Sequence, residues 1–345
     1  MKRGIPLVKI EAKDNYEFGF KLGKALKKEI QYRLEKNKEI YKKKAYHAED
    51  FSKLVNKAKK FLPAIKRHFP QLLIEAKAMA EGAEVPFEEL FVLICEEQIV
   101  DYKILHCTSV AIRTDDNKIL HGNNEDWIPE YTKNGLVLIR GKIKNTRFLC
   151  LSYIGNMAGS SAGLNSYGLS YTDNSFVLRK FTYDVPRSFH LRALLEAKNP
   201  KNAIKILNTK GSIGSNTTLV FSNKSITCVE ELWNREEILG SKDFIIHTNH
   251  PLLLKDRTKI NTPKESLIRY ERAKEILLKE KNPNIKTLKR IFRDHKAKIC
   301  EHHKRKNTPM SVSTIASIIM NPKDKWMMVC HKNPCNNKYK KYYLN

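Results

Sequence analysis

The sequence predicts an α+β fold built on antiparallel sheets. Three observations lead there: helical periodicity fills most of the first hundred residues, paired β-type segments begin at Cys107, and short helical pairs interrupt them. Strict strand–helix–strand alternation, the mark of a doubly wound parallel sheet, is absent from the pattern. A chain of 345 residues can bury a large core, and 41% hydrophobic with 29% charged residues fits a soluble globular protein.

Taken in order, Asp14 followed three residues later by Glu17 predicts a capping box. Phe20, Leu22, Leu26, Ile30 and Leu34 then predict one helix from Tyr16 to about Tyr41, with Gly19 and Gly23 allowing another element to approach closely. A second helix is expected after Asp50 and a third from Pro70, a favoured first helical residue; Gly82 to Pro86 ends it. A fourth runs from about Phe87 to Tyr102. Cys107–Thr114 and Ile119–Gly122 flank an Asp–Asp–Asn–Lys turn and read as a hairpin; Leu136–Ile143 and Arg147–Ile154 read as another. A glycine-rich strand region, Gly155 to Asn174, follows. Helices are expected at 186–197 and 200–207, strands at 216–222, 225–231 and 244–247, helices at 263–279 and 285–295, and a last hairpin at 313–320 and 325–331.

The net charge is +27, and Lys255 to Asn345 holds 24 Lys plus Arg against 8 Asp plus Glu. Lys42–Lys44, Lys304–Lys306 and Lys338–Lys341 are basic runs. Such a surface attracts phosphate, but no nucleic-acid motif accompanies it, which argues against a nucleic-acid partner. Seven cysteines at wide, irregular spacing argue for reduced thiols rather than a disulfide framework. No apolar run approaches the length of a membrane helix, and the start Met1–Glu11 has no apolar signal core, so no membrane partner and a cytoplasmic location are expected.

Chemistry concentrates in three segments. Cys107 stands at an element boundary, ahead of Thr108 and Ser109. The hairpin it opens returns through Gly122-Asn123-Asn124-Glu125-Asp126-Trp127, which brings amide, carboxylate and indole groups beside it. His247-Thr248-Asn249-His250-Pro251 follows the apolar Phe244–Ile246, and an Asn at a strand end can donate to a developing oxyanion.

Together with His106, these three segments resemble the acyl-coenzyme A:6-aminopenicillanic acid acyltransferase family, self-processing cysteine relatives of the choloylglycine hydrolases. The resemblance extends over nearly the whole chain. It implies the four-layer αββα sandwich of N-terminal-nucleophile hydrolases. It implies cleavage between His106 and Cys107, leaving a helical piece (1–106) and a sheet-rich piece (107–345) associated as one structural domain. Cys107 would be the nucleophile, Asp126 would orient its amino group or thiol, and Asn249 would line the oxyanion hole. Asn124, Trp127 and His250 are expected near the substrate, a small-molecule amide or acyl-coenzyme A. A liberated α-amino group, with an unperturbed pKa of about 7.7–8.0, can act as general base, so no cofactor is required. Three positions depart from the family pattern: His106 where Gly is common, Asn123 where Arg or Gln is common, and Ser313 where an Arg can precede the Thr of the last hairpin.

Two rivals stand beside this reading: an uncleaved Cys–His hydrolase using His121 or His250, and a basic protein binding nucleic acid or acidic surfaces on an inactive hydrolase fold. Cys300-Glu301-His302-His303 with Cys330, His331 and Cys335 offers zinc ligands, but their spacing matches no strong Cys/His pattern, and no metal is expected. The glycines at 155, 159, 163 and 168 lack the helix-opening context of a phosphate loop and are read as turns and close sheet contacts.

Overall fold

Asp14 starts the first long helix as its capping pattern requires: its carboxylate accepts the Glu17 N–H at 2.8 Å. Glu17 reaches back to the N–H of Lys13 at 2.8 Å, one residue short of the Asp14 N–H that a capping box would use. The computed structural model describes residues 4–42, 50–100, 107–178, 181–222, 224–233, 235–255, 260–302 and 312–345.

In chain order the N-terminal part comprises β1 (Leu7–Ala12), α1 (Asn15–Ala25), α2 (Lys27–Tyr41), α3 (Phe51–Lys59), α4 (Leu62–His68), α5 (Pro70–Ala83), α6 (Phe87–Ile94) and α7 (Glu96–Ile99). Then follow β2 (Thr108–Arg113), β3 (Ile119–Trp127), β4 (Leu136–Ile143), β5 (Thr146–Tyr153), β6 (Ala162–Asn165), β7 (Leu169–Ser175) and the short β8 (Val177–Leu178). Helices α8 (Arg187–Leu194) and α9 (Pro200–Leu207) precede β9 (Ser215–Phe221), β10 (Ser225–Leu232), β11 (Arg235–Ser241), β12 (Phe244–His247) and β13 (Ile260–Asn261). The chain closes with α10 (Lys264–Leu278), α11 (Ile285–Phe292), β14 (Ser313–Asn321), β15 (Trp326–His331) and β16 (Lys340–Tyr343).

The strands form two large sheets and one small pair. The eight-stranded sheet runs β1-β4-β5-β6-β7-β9-β10-β11, and the six-stranded sheet runs β12-β2-β3-β14-β15-β16. Every pairing is antiparallel except β1 with β4, so the α+β class holds. The main core joins Phe18, Ile30 and Phe91 of the helices, and Phe61 between α3 and α4, to Leu138, Leu149 and Leu164 of the eight-stranded sheet. A second core packs Ala273, Leu288, Ile291 and Phe292 of α10 and α11 on the outer face of the six-stranded sheet. A third, with Ala111, Val220, Ile226 and Ile245, fills part of the gap between the sheets. The order of layers is therefore helix, sheet, sheet, helix.

Gly19 and Gly23 do bring a neighbour close. A Cβ at either would lie 2.1 Å from a carbonyl oxygen of α5, Glu75 for the first and Met79 for the second. Helix α5 also shares a buried ion pair with α8, Arg192 to Glu75 at 2.7 and 2.8 Å. The region expected as one helix from Tyr16 to Tyr41 is two, broken at Leu26. The kink keeps Leu22, Leu26, Ile30 and Leu34 all buried, so the periodicity reads through it. Strand β1 lies in the stretch read as helical; only Ile10 of its six residues is buried, too little for a two-residue period. The end of the fourth expected helix at Tyr102, and most of the runs at 42–44 and 304–306, lie outside the described residues.

Candidate functional site

The site lies where the ends of β2, β3, β7 and β12 meet between the two sheets. Thr108 pairs with Asn124 across the β2–β3 hairpin, so the last residues of β3 extend past the start of β2 to Cys107. The Cys107 sulfur lies 3.9 Å from the carbonyl oxygen of Asp126. A β-bulge between Thr314 and Ala316 on β14 sits directly across from Asp126.

Arg269 of α10 organises this end of the sheet. Its guanidinium donates to the Cys107 carbonyl, to Thr108 Oγ1 at 2.9 Å and to Asn249 Oδ1 at 2.9 Å. With Oδ1 so held, the Asn249 carboxamide has a defined orientation; its Nδ2 donates to the Ser175 carbonyl at 3.0 Å, and its backbone N–H donates to Ser266 Oγ at 2.8 Å. Thus one buried cation links the cysteine to the asparagine that sequence spacing alone placed 142 residues apart. Ser313, at the position where the family can carry an arginine, directs its hydroxyl to the Glu301 carbonyl at 3.3 Å. Arg269 carried no distinguishing signal in the sequence, since α10 also holds Lys264, Arg272 and Lys274.

A chain of buried amides and hydroxyls ties the sheets together beside the cysteine. Ser109 donates to Asn123 Oδ1 at 3.0 Å and accepts from Asn174 Nδ2 and Thr172 Oγ1, both at 2.9 Å. Asn174 continues to Asn216 at 3.0 Å, and Asn216 donates to the Thr248 carbonyl at 2.8 Å. These contacts satisfy polar groups that burial would otherwise penalise. Asn174 and Asn216 were missed from sequence, where single asparagines inside strands carry no distinguishing signal.

Asp126 is different. Among the described residues neither of its carboxylate oxygens makes a hydrogen bond of normal geometry. Burial pushes its pKa well up, against the opposing pull of the Thr314 hydroxyl and the Arg269 charge. Burial likewise raises the Cys107 thiol well above its usual value, helped by the Glu125 and Asp126 carboxylates. Burial thus disfavours the charged form of both groups.

Cys107 opens onto a cleft of about 620 Å³, mouth included. Its walls include Trp127, Tyr131 and Tyr153, and Asn249 lines it too. Four carboxyl groups line it, Glu96, Glu97, Glu125 and Asp173, against the single guanidinium of Arg187. Arg187 pairs with Glu97 at 2.6 Å and with Asp173. Glu125 accepts from Tyr153 at 2.5 Å, Ser161 at 2.8 Å and Asn123 at 3.1 Å. Two further guanidiniums stand behind this lining, buried Arg33 at 3.5 Å from the Tyr131 ring centre and Arg269 on Cys107 and Asn249, so four carboxyls face three guanidiniums with both counted. On a chain of net charge +27, this cleft is locally acidic.

The expected residues divide. Cys107, Asn249 and Trp127 line the cleft, and Asp126 lies against Cys107. Asn124 does not line it: its Nδ2 donates to the Phe292 and Ile299 carbonyls at 2.9 and 2.8 Å, on the α11 side of the sheet. The period of two along β3 sends Asn123 and Asn124 to opposite faces. His250 is also outside the cleft lining; its Nδ1 sits 3.0 Å from Thr248 Oγ1 and 2.9 Å from Ser266 Oγ, and it steadies the loop that carries Asn249. His121 is held between Ser170 and Thr172 at 3.0 and 2.9 Å, and burial lowers its pKa to about 3. Neither ring supports a Cys–His dyad. His106 lies outside the described residues.

Comparison with known proteins bears on the family and the fold. The family model described as acyl-coenzyme A:6-aminopenicillanic acid acyl-transferase matches residues 112–336. The beta-alanyl-dopamine/carcinine hydrolase of Drosophila melanogaster is 27% identical over 222 residues, 57% of this chain and 56% of that protein. The match therefore spans little more than half the length of that relative. Among solved structures, an arginine-to-leucine variant of the conjugated bile acid hydrolase from Clostridium perfringens has a TM-score of 0.50 at 14% identity, covering 69% of this chain and 97% of that one. Penicillin V acylase from Agrobacterium tumefaciens has a TM-score of 0.45 at 13% identity, covering 65% and 83%. The fold is the four-layer sandwich of the N-terminal-nucleophile hydrolases.

Proposed function

Since the chain belongs to the acyl-coenzyme A:6-aminopenicillanic acid acyl-transferase family, we propose that it is a self-processing cysteine amide hydrolase or acyltransferase acting on cationic amides. The observation that carries this is the Arg269 clamp, which joins the Cys107 carbonyl and the Asn249 carboxamide at an acid-lined cleft.

In the first step the Cys107 sulfur attacks the carbonyl carbon of His106. An S–C bond forms, the His106–Cys107 C–N bond breaks, and the nitrogen takes the thiol proton. Water then opens the thioester, leaving a His106 carboxylate and a free Cys107 thiol. The new α-amino group is the partner that buried Asp126 lacks among the described residues, and an ammonium there would draw the carboxyl into its ionised form. Asp126 is thereby the positioning group and the amine the base.

In turnover the α-amine takes the thiol proton and the thiolate attacks the substrate carbonyl. Asn249 Nδ2 carries two hydrogens; one is spent on Ser175, and the second is available to the oxyanion. The tetrahedral adduct collapses as the substrate C–N bond breaks, and the leaving amine takes the proton from the α-ammonium. Water or a second amine then receives the acyl group from the thioester.

Substrate charge follows from the cleft. An excess of carboxyls favours an ammonium-bearing acyl group or amine and disfavours the phosphates of coenzyme A, while the Trp127, Tyr131 and Tyr153 rings suit a cation next to an apolar body. The fly relative is named for β-alanyl-dopamine and carcinine, and a β-alanyl group ends in an amine. Two experiments test the reading. Denaturing mass spectrometry of the purified full chain is expected to give pieces of 106 and 239 residues, the second beginning at Cys107; an active, uncut chain overturns self-processing. A panel of amides matched in size but ending in ammonium, methyl or carboxylate is expected to rank in that order, by at least about tenfold in kcat/KM per step. A preference for carboxylates or for acyl-coenzyme A overturns the substrate class.

A further inference from the structure

Four potential ligands converge on the α11 side of the six-stranded sheet, across that sheet from the cleft. His295, Cys300 and His302 come from the turn that follows α11, and Cys335 from the segment that follows β15. Their donor atoms all lie within 4.8 Å of one another. The Cys300 and Cys335 sulfurs are 3.6 Å apart. His302 Nε2 is 3.7 Å from the Cys300 sulfur, 3.2 Å from the Cys335 sulfur and 3.2 Å from His295 Nε2.

Those separations are close to the edges of a coordination tetrahedron. With Zn–S of about 2.3 Å and Zn–N of about 2.05 Å, tetrahedral angles give edges of about 3.8 Å for S···S, 3.6 Å for S···N and 3.3 Å for N···N. The four edges given differ from these by up to about 0.4 Å, and the two from His295 to the sulfurs stay within 4.8 Å. Van der Waals packing of two thiols and two imidazoles gives no reason for all four donor atoms to point at one spot. We propose that His295, Cys300, His302 and Cys335 form a structural zinc site. Two thiolates with two imidazoles select zinc over magnesium or calcium, and four protein ligands leave no open position for catalysis.

The surroundings are built to hold these ligands. The Cys300 N–H donates to the Asp294 carbonyl at 2.9 Å and the Lys298 N–H to the His295 carbonyl, closing the turn that presents His295 and Cys300 together. Arg293 Nε donates to the Pro334 carbonyl at 2.9 Å, fixing the residue before Cys335. Asn333 Nδ2 lies 3.7 Å from the Cys300 sulfur, a second-layer donor to a thiolate, and 2.6 Å from the Glu301 carbonyl.

The same turn touches the catalytic strands through its backbone. Asn124 of β3 donates to the Ile299 carbonyl, and the Glu301 N–H donates to Thr314 Oγ1 at 2.9 Å. Thr314 is the cross-strand neighbour of Asp126. A metal that locks residues 295–302 to Cys335 thereby stiffens the strand pair that carries Asp126, without touching the cleft.

The test uses the full chain, purified without chelators and without a histidine tag. One zinc per chain is expected by elemental analysis, unchanged in Cys107→Ala and below a tenth in Cys300→Ser/Cys335→Ser. His295 is exposed, so His295→Ala is the variant that least disturbs folding; it is expected to lose zinc to a chelator at least about tenfold faster. Cobalt(II) added to the metal-stripped wild type is expected to give thiolate charge-transfer and tetrahedral d–d bands, a readout independent of any variant. Zinc removal is expected to lower the melting temperature. A wild-type chain that keeps no zinc and stays colourless with cobalt overturns the proposal, as does a double-serine variant with full metal content. A Cys300–Cys335 disulfide in the freshly purified chain, found by mass and peptide mapping, overturns it too.

Discussion

Cys107 and Cys300 are both buried thiols, and their surroundings assign them opposite chemistry. Around Cys107 stand carboxyls, carboxamides and the guanidiniums of Arg187 and Arg269, with no imidazole in the cleft lining among the described residues. Around Cys300 stand a second thiol and two imidazoles, with an amide donor behind. The first set can orient a thiol, shuttle its proton and stabilise an oxyanion, but offers no soft ligands to a metal. The second, with two sulfurs and two imidazole nitrogens within 4.8 Å of one another, can hold a dication. Burial makes a cysteine inert by default; the neighbours decide whether it becomes a nucleophile or a ligand.

The largest effect is expected from Cys107→Ala. Removing a covalent nucleophile costs on the order of a million-fold in kcat, and self-cleavage should disappear with it. Activity that survives in Cys107→Ala at more than a thousandth of wild type, or a processed variant chain, would break the assignment of the nucleophile.

Asn249→Ala is expected next, with kcat lower by about 10²–10³, or about 3–4 kcal/mol, and KM little changed. Arg269→Lys probes the clamp that holds Asn249. A lysine keeps the charge and loses the fork that reaches Cys107, Thr108 and Asn249 together. We expect kcat to fall about tenfold or more, close to the value of one charged hydrogen bond of about 1.5–3 kcal/mol, with the Arg269→Lys and Asn249→Ala losses not adding in the double variant. Full additivity would mean that Arg269 acts by another route.

The two thiol sites also differ in how far the sequence revealed them. The α+β class and most strands followed from hairpin spacing, because a two-residue period with Asp–Asn–Gly turns is local information. Phe244–His247 was read to the residue. Asp126 and Trp127 were put near Cys107 because a hairpin must return, so topology did the work. Asn124 shows where that argument stops: adjacency along a strand does not say which face a side chain takes. Arg269, Asn174 and Asn216 were invisible, since each acts through contacts made by packing distant elements, while Glu125 stood in the segment read beside Cys107 but was given no role. The Cys300 set was seen only as a weak string. Its most exposed member, His295, was not included, and Cys330 and His331, which were, lie outside the cluster. Strand β16 and the break at Leu26 were missed because neither alters the apolar pattern.

His121 gives the smallest expected effect and separates a structural histidine from both a ligand and a base. It is fully buried, bridges Ser170 and Thr172, and has a pKa near 3 against an ordinary value of 6.5. The folded value is depressed, so the unfolded chain binds the extra proton first. The ring's contribution to stability is therefore complete above about pH 6.5 and is lost as pH falls from there toward 3. At about pH 5 the loss is about 2 kcal/mol, from one proton over 1.5 pH units. His190, lowered to about 4 by burial, adds a similar slope over that window. Chemical denaturation of the wild type at about pH 7 and pH 5 should show this fall. In His121→Gln, which keeps a donor and an acceptor without the titration, the fall should shrink by about 2 kcal/mol while kcat at neutral pH changes less than about threefold. A Cys107–His121 dyad predicts the reverse, an inactive enzyme with an unaltered acid slope, and that outcome would return the imidazole to the nucleophile's side of the comparison.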